Sequence, residues 1–393
     1  MPDRSLHVLI APDSYGGALD SVGVARAMAA GWRRVRPDDQ LTLKPMADGG
    51  EGTLAAVREA LGGAAEERSV ATTDPLGRPV EATWLLLDGG RGAFVEMASA
   101  SGLARLDPAE RTPESVRAAS TRGTGDVIRA ALDAGVERIT IGLGGSATND
   151  GGTGILRALG VRLTDADGAD LPEGGAALAR LGAIDASGLD PRLRDVRLVI
   201  ASDVTNPLCG PRGASATYGP QKGADPATVE ELDAALATYG RAIEAATGRL
   251  VADLPGAGAA GGTTTAFLGF TTAQVRPGVE VVAELVGLAD ALEAADLVIT
   301  GEGRADGQTL AGKAAMGVAT LASPRRTPVI LLAGALGDGA EALEVATALS
   351  LVQPIPDRPM ELAAAMADTE RLLANAAARL ARAIDIGLAL ARP

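Results

Sequence analysis

The chain has 393 residues, 47% hydrophobic and 22% charged, the balance of a folded globular protein long enough for two domains. Its net charge of −14 argues against partners that select basic surfaces, nucleic acid and anionic membranes alike, and no apolar run approaches the roughly 18 residues of a membrane span. A single cysteine, Cys209, excludes an internal disulfide, and the single histidine, His7, lies inside a strand-like run rather than at its end, which sets aside Ser-His-Asp, Cys-His and Cys/His zinc chemistry. Any metal is therefore expected to be hard and oxygen-bound, such as Mg²⁺, in a soluble cytoplasmic protein.

The run "HVLIAPDS" predicts a strand ending in a Pro-Asp turn. A helix follows, capped by Asp20 or Ser21, with Val24, Ala27, Met28, Gly31 and Val35 on one face. "LTLKP" predicts a second strand, which ends in "MADGGEG"; a helix with Leu54, Val57 and Leu61 on one face is then closed by Gly62. Strand-helix-strand-helix begins a parallel sheet. The pattern then changes: "RSVATT", "PVEATWLLLD" and "GAFVEM", separated by the turn sequences "DPLG" and "DGGRG", read as an antiparallel meander. Next come the helix "TGDVIRAALDAG", the strand "RITIG", the loop "LGGSATNDGG" and the strand "DVRLVIASD". A helix from Asp225-Pro226 turns Val229, Leu232, Leu236 and Ile243 inward. "PGAGAAGGTTTAFLGF" reads equally as a close-packed buried segment or as part of a site. From about residue 290 the alternation returns in "DLVITGEG", "TPVILLAG" and "ALSLVQP", and a long Ala/Leu/Arg helix closes the chain. The fold expected is α/β: a doubly wound parallel sheet built from 1–64 and 290–393, with a second, mixed α/β domain inserted over 65–289.

In an open parallel sheet, ligands bind beyond the carboxyl ends of the strands. Asp13 and Ser14 stand there, as do Asp48 with Glu51, and Glu302 with Arg304 and Asp306, all among glycines. Any one of these carboxylates could simply cap a helix. Together they suit Mg²⁺ (Asp48, Glu302 and Asp306) and, with glycine loops and helix N-termini, the phosphates of a phosphoryl transfer. The loop at 143–152 offers Gly144, Gly145, Ser146, Thr148, Asn149 and Asp150, but it has neither the Walker pattern nor a clean GxGxxG. Alone it reads as a sharp turn or as a place where a ligand comes close. Lysine is scarce: Lys44, Lys222 and Lys313 are the three in the chain, each beside Gly or Pro in a loop, placed to meet phosphate or placed by chance.

Taken in order, "IAPDSYGGALDS", "PMADGGEGT", "FVEMASASGL", "GLGGSATNDGGTGILRALG", "ASDVTNPLCGPRGAS", "GPQKGA", "PGAGAAGG", "DLVITGEGRADGQTLAGKAAMGVA" and "VILLAG" resemble the glycerate kinase family of bacterial type, which lacks a P-loop. The resemblance runs along nearly the whole chain. It implies a flavodoxin-like domain with an inserted domain, and ATP-dependent phosphorylation of D-glycerate at the 2-hydroxyl with Mg²⁺. On that reading Asp48, Glu51, Asp203, Lys222, Glu302, Arg304 and Lys313 form the catalytic set. The loop 143–152, with Asn206, Asp13 and Ser14, would contact nucleotide or substrate. The family commonly reads Asp-Ser-Phe-Lys-Gly where this chain has Asp13, Ser14, Tyr15, Gly16 and Gly17, so a lysine is missing at Gly16; Ala315 also stands where Pro is common. Three readings follow: a glycerate kinase, a kinase for another small hydroxy acid, or a relative that binds nucleotide or hydroxy acid without turnover. The choice of general base among the carboxylates and the oligomeric state, a homodimer included, stay open.

Overall fold

The computed structural model describes residues 5–307, 309, 314–346 and 348–390. The chain divides into two compact units: Met1–Asp48, Ala55–Gly62 and Val279–Pro393 form the first, Gly49–Leu54 and Gly63–Gly278 the second. The first unit contributes β1 (His7–Ile10) and β2 (Gln40–Leu43) before the chain enters the second. There follow β3 (Glu66–Thr73), β4 (Pro79–Leu87), β5 (Gly92–Glu96), β6 (Arg138–Gly142), β7 (Arg162–Thr164), β8 (Ala183–Asp185), β9 (Arg197–Ala201) and β10 (Gln274–Arg276). The return supplies β11 (Leu297–Ala305), β12 (Val329–Leu336) and β13 (Leu351–Pro354) to the first unit.

The sheet of the first unit runs β13-β12-β11-β1-β2, with every neighbouring pair parallel. Counted within the unit this is the order 2-1-3-4-5, the flavodoxin-like doubly wound arrangement, whose switch point lies between β1 and β11. The central strands β1, β11 and β12 carry continuous apolar runs because helices cover the sheet, and Val8, Ile10, Ile299 and Leu332 are buried in one cluster with Trp32 and Leu373. Asp20 caps the helix Ser21–Arg33, its side chain accepting the Gly23 N–H at 2.7 Å. That helix packs on the closing helix Thr369–Leu390, and Gly31 is where they meet: a Cβ there would overlap the Ala374 backbone.

The second unit holds a six-stranded sheet in the order β10-β9-β6-β5-β4-β3. β3, β4 and β5 form the antiparallel meander, while β5, β6, β9 and β10 are parallel, so the sheet changes sense at β5. One cluster, including Trp84, Ile139, Ile141, Ile200 and Phe267, fills one side; a second gathers Leu236, Tyr239 and Ile243 of the helix Pro226–Thr247. β7 and β8 pair as a separate hairpin. These two strands and β10 have three residues each, too few for a period of two to be read in sequence. The glycine-rich segment "PGAGAAGGTTTAFLGF" forms the helix Ala259–Phe270, and its entry is close-packed: Ala260, Gly261 and Gly262 are left-handed, and a Cβ on Gly261 would strike the Thr148 backbone. Among the described residues no helix is long and apolar enough to cross a membrane.

Candidate active site

In the first unit the strand ends bring carboxylates together. Asp13 follows β1, and its N–H donates to the Gly301 carbonyl of β11 at 2.8 Å, so Asp13 and Glu302 sit at one edge. Burial pushes the Asp13 carboxyl up to about 6; the Ser14 N–H, which donates to Asp13 Oδ1 at 2.6 Å, opposes this, and the charges of Asp48 and Glu302 add to it. Glu302 is buried, and its Oε1 accepts from the Thr309 hydroxyl at 2.8 Å. Thr309 Oγ1 in turn accepts the Asp306 N–H at 3.0 Å, tying Asp306 to the same corner, where Arg304 Nε lies 3.1 Å from Asp306 Oδ2. Asp48 is exposed and ends the unit's first segment. Among the described residues no three Asp, Glu, His or Cys side chains converge as a ready-made metal cage. Lys313 lies outside the described residues.

Tyr15 anchors this edge. It is buried, and its hydroxyl donates to the Leu332 carbonyl of β12 at 2.7 Å. Gly301 and Gly334 leave the room: a Cβ on Gly301 would stand 3.0 Å from the Tyr15 hydroxyl, and one on Gly334 3.2 Å from its ring. Gly16, next along, is exposed, and a Cβ there would meet nothing within 4 Å. A pocket of about 430 Å³ opens beside the loop, with Asp13, Ser14, Glu302 and Arg304 at its polar end.

In the second unit the glycine loop leaves β6. Its glycines answer first to the backbone: a Cβ on Gly142 would stand 2.6 Å from the Gly49 carbonyl, one on Gly144 would fall on Gly50, and one on Gly151 would enter the Tyr239 ring. Gly145, Gly151 and Gly152 also have positive φ. Beneath the loop lies Lys222, only 2% exposed, whose Nζ donates to Ser146 Oγ at 2.9 Å and to the Thr148 carbonyl at 2.7 Å. Burial pushes this ammonium down to about 7, with Asp150 pulling the other way. Asn149 Nδ2 donates to Ser215 Oγ at 2.9 Å, but Asn149 Oδ1 and Thr148 Oγ1, both buried, have no partner among the described residues. Buried polar atoms of this kind meet a ligand or water. Asp150 is different. Fully buried, it accepts from the Thr121 N–H and hydroxyl and from the N–H groups of Gly152 and Gly154, holding the start of the helix Thr153–Ala158.

A family model for the glycerate kinase family matches residues 8–385. The chain belongs to the glycerate kinase family. It is 47% identical over 333 residues to a glycerate 2-kinase of Escherichia coli (strain K12), covering 85% of this chain and 86% of that one. A glycerate kinase of Halalkalibacterium halodurans is 45% identical over 377 residues, 95% of this chain and 97% of its own. Among solved structures, the putative glycerate kinase 2 of Salmonella typhimurium LT2 superposes with a TM-score of 0.84 at 44% identity, covering 98% of this chain and 99% of that one.

As a family member the chain is a phosphotransferase, and some candidate residues have structural duties within it. Asn206 joins its loop through both ends of the amide, Nδ2 donating to the Arg212 carbonyl at 2.7 Å and Oδ1 accepting from the Tyr218 hydroxyl at 3.0 Å. Asp203 is exposed, with Oδ1 accepting the Gly278 N–H at 2.9 Å. Lys44 donates to the Ala60 carbonyl at 2.8 Å, finishing the helix Thr53–Leu61. His7 pairs its Nε2 with the Thr42 hydroxyl at 2.7 Å, a strand-to-strand contact. Two residues carry more than their sequence revealed. Buried Glu96, at the end of β5, accepts the N–H groups of Gly52 at 3.0 Å and Leu54 at 2.7 Å, and so sets the turn that presents exposed Glu51. Thr309 bridges Glu302 and Asp306. The signal for Glu96 was a carboxylate closing the apolar run "AFVE"; Thr309 gave none.

Proposed function

We propose that this chain transfers the γ-phosphoryl group of ATP to the 2-hydroxyl of D-glycerate, with Mg²⁺. What supports the reading is the edge where Asp13, Asp48 and Glu302 crowd their negative charge at the ends of parallel strands, in a chain of this family. Hard carboxylate oxygens concentrated there fit Mg²⁺, which keeps waters and phosphate oxygens among its ligands and so does not require a closed protein cage. Asp48 and Glu302 would hold it, with Asp306 and Asp13 beside them; when bound it neutralises the charge of the transferring phosphoryl group.

The chain's own residues do the positioning. Thr309 fixes Glu302 Oε1, so that carboxylate does not swing away, and Arg304, two-thirds exposed and paired through Nε with Asp306, stands at the same corner. In the second unit the loop of Gly144, Gly145, Ser146, Thr148 and Asn149 is the proposed anion contact: the unpartnered Thr148 hydroxyl is suited to an anion's oxygen, the unpartnered Asn149 Oδ1 to a ligand hydroxyl or water, the Gly144 N–H is spent on the Gly49 carbonyl, and Lys222 braces the loop from below. Glu51, Asp203 and Lys313 stay in the proposed catalytic set; Asn206 and Asp150 act through the backbone they hold.

The deciding experiment measures ADP release from MgATP against a panel of small hydroxy acids, with the product identified by NMR. Turnover with D-glycerate, a 2-phosphorylated product and loss of activity with EDTA are expected. Turnover with another acid reassigns the acceptor, and nucleotide binding without turnover overturns the kinase reading. Glu302→Gln keeps shape but removes charge, so kcat should fall at least about 100-fold, the scale of lost electrostatic stabilisation, with an unchanged melting temperature.

A further inference from the structure

The pocket of the first unit has two ends of opposite character. Asp13, Ser14, Glu302 and Arg304 line one; Ile355, Leu362, Ala365, Met366 and Leu372 line the other. The polar end stands beside the switch point between β1 and β11, where open α/β sheets take their ligands. The apolar end is held by the short helix Leu362–Ala367 and the start of the closing helix. Met366 leans over Gly17, its Cε 3.2 Å from where a Cβ would stand, and Leu362 is 70% exposed, an apolar rim left to solvent. A volume of about 430 Å³ far exceeds what a three-carbon hydroxy acid fills, and such an acid has no apolar face to place against leucine and methionine.

We propose that this apolar end receives the nucleoside of the phosphoryl donor, with its phosphates directed to the Asp13–Glu302 end, and that it grips the base by shape rather than by reading its edge. The proposal rests on the kinase reading above. A triphosphate carries the cation that a carboxylate-lined end calls for, and a base with its ribose carries the flat apolar surface that the other end fits. Base-edge readout needs directed polar groups, from side chains or backbone, and the side chains at that end leave none uncommitted. At that end Thr369 supplies a hydroxyl, and it already bonds the Ala365 carbonyl at 3.0 Å and the Met366 carbonyl at 2.9 Å of its own helical run. The other described residues lining that end are Ala, Ile, Leu and Met. Pockets built to bond a polar edge reject analogues by about 10⁴-fold or more, whereas apolar ones discriminate by roughly 10- to 200-fold.

The test is binding, measured without acceptor. Titration calorimetry with MgADP on the full chain compares wild type with Met366→Glu and Leu362→Glu, both at positions open enough to leave the fold intact, as melting temperatures within about 2 °C would verify. We expect the MgADP Kd to rise at least tenfold in Met366→Glu and several-fold in Leu362→Glu, while the D-glycerate KM at saturating nucleotide stays within twofold. Unchanged MgADP Kd values overturn the proposal, and a raised glycerate KM beside them assigns the pocket to the acceptor; wild-type turnover of glycerate in that case leaves the kinase reading standing. Wild type that binds MgADP but phosphorylates no hydroxy acid of the panel would sink the kinase reading alone, because the variants still report on the pocket. For the grip, MgGTP and MgUTP should bind within about tenfold of MgATP; a preference of a thousandfold would show that the base edge is read.

Discussion

Lys222 has been carried beneath the glycine loop, where water does not reach its ammonium. Burial lowers it from 10.5 to about 7, so between those values the unfolded chain holds more protons than the folded one and stability rises with pH. The destabilisation is fully present below pH 7 and fades as pH climbs toward 10. Lys222→Met removes it, so the urea midpoint of wild type should gain on that of Lys222→Met between pH 7 and pH 9. Parallel pH curves would show that the lysine is not buried in solution. Gly16 poses the opposite case. Its φ is ordinary and its Cβ position is open, unlike neighbouring Gly17 with φ of +74°, so Gly16→Lys carries no backbone strain. The melting temperature should stay put. The glycerate KM should move by less than about fivefold, roughly 1 kcal/mol, because Arg304 already places a cation at the same pocket; a larger gain would show that nothing compensates. Much of this scale was legible beforehand: Asp13, Glu302 and Arg304 were marked by their place at strand ends. Thr309 was not, since one threonine among loop residues looks like any other until its hydroxyl is seen between Glu302 and Asp306.

Elements show how glycine can serve two purposes in one loop. Gly142 and Gly144 let the turn Gly49–Gly50 lie directly on the end of β6, so a side chain there is refused whatever the ligand. Gly144→Ala should lower stability by roughly 1–3 kcal/mol, the usual cost of overpacking, read as a drop in urea midpoint; an unaffected midpoint would mean that the two loops are not in contact. The helix Thr53–Leu61 was visible from its apolar spacing, but its N-terminal partner was not. Glu96 lies on β5, more than forty positions along the chain, and sequence capping rules look only at nearest neighbours. Glu96→Ala leaves the Gly52 and Leu54 N–H groups unmet and should cost about 1–3 kcal/mol, whereas Glu96→Gln should recover part of it. Equal losses in both variants would point to charge rather than hydrogen bonding.

At the scale of the whole molecule, the second unit lies within residues 49–278, interrupted only by Ala55–Gly62, while the first takes that short segment and both ends of the chain. The second has its own six-stranded sheet and its own apolar clusters. A fragment of residues 49–278 should therefore fold alone, with cooperative urea unfolding by circular dichroism; a featureless, non-cooperative curve would show that its core depends on the rest. Residues 279–393 alone should not, because β1 stands between β11 and β2, and β11 without β1 exposes an unpaired edge. Chain order and apolar rhythm were enough to determine the alternation of strands and helices, the split parallel sheet, the meander and the carboxylate-rich strand ends, since those depend on local period and on where a parallel sheet takes its ligands. Three-residue strands escaped, lacking a period to read. What tertiary structure alone decided is which polar residue answers which. Asp150 was tied to Thr121 as well as to its own helix start, Lys44 became a helix terminator, and Lys222 the brace under the loop, through hydrogen bonds that span distances in sequence over which local propensity has no say.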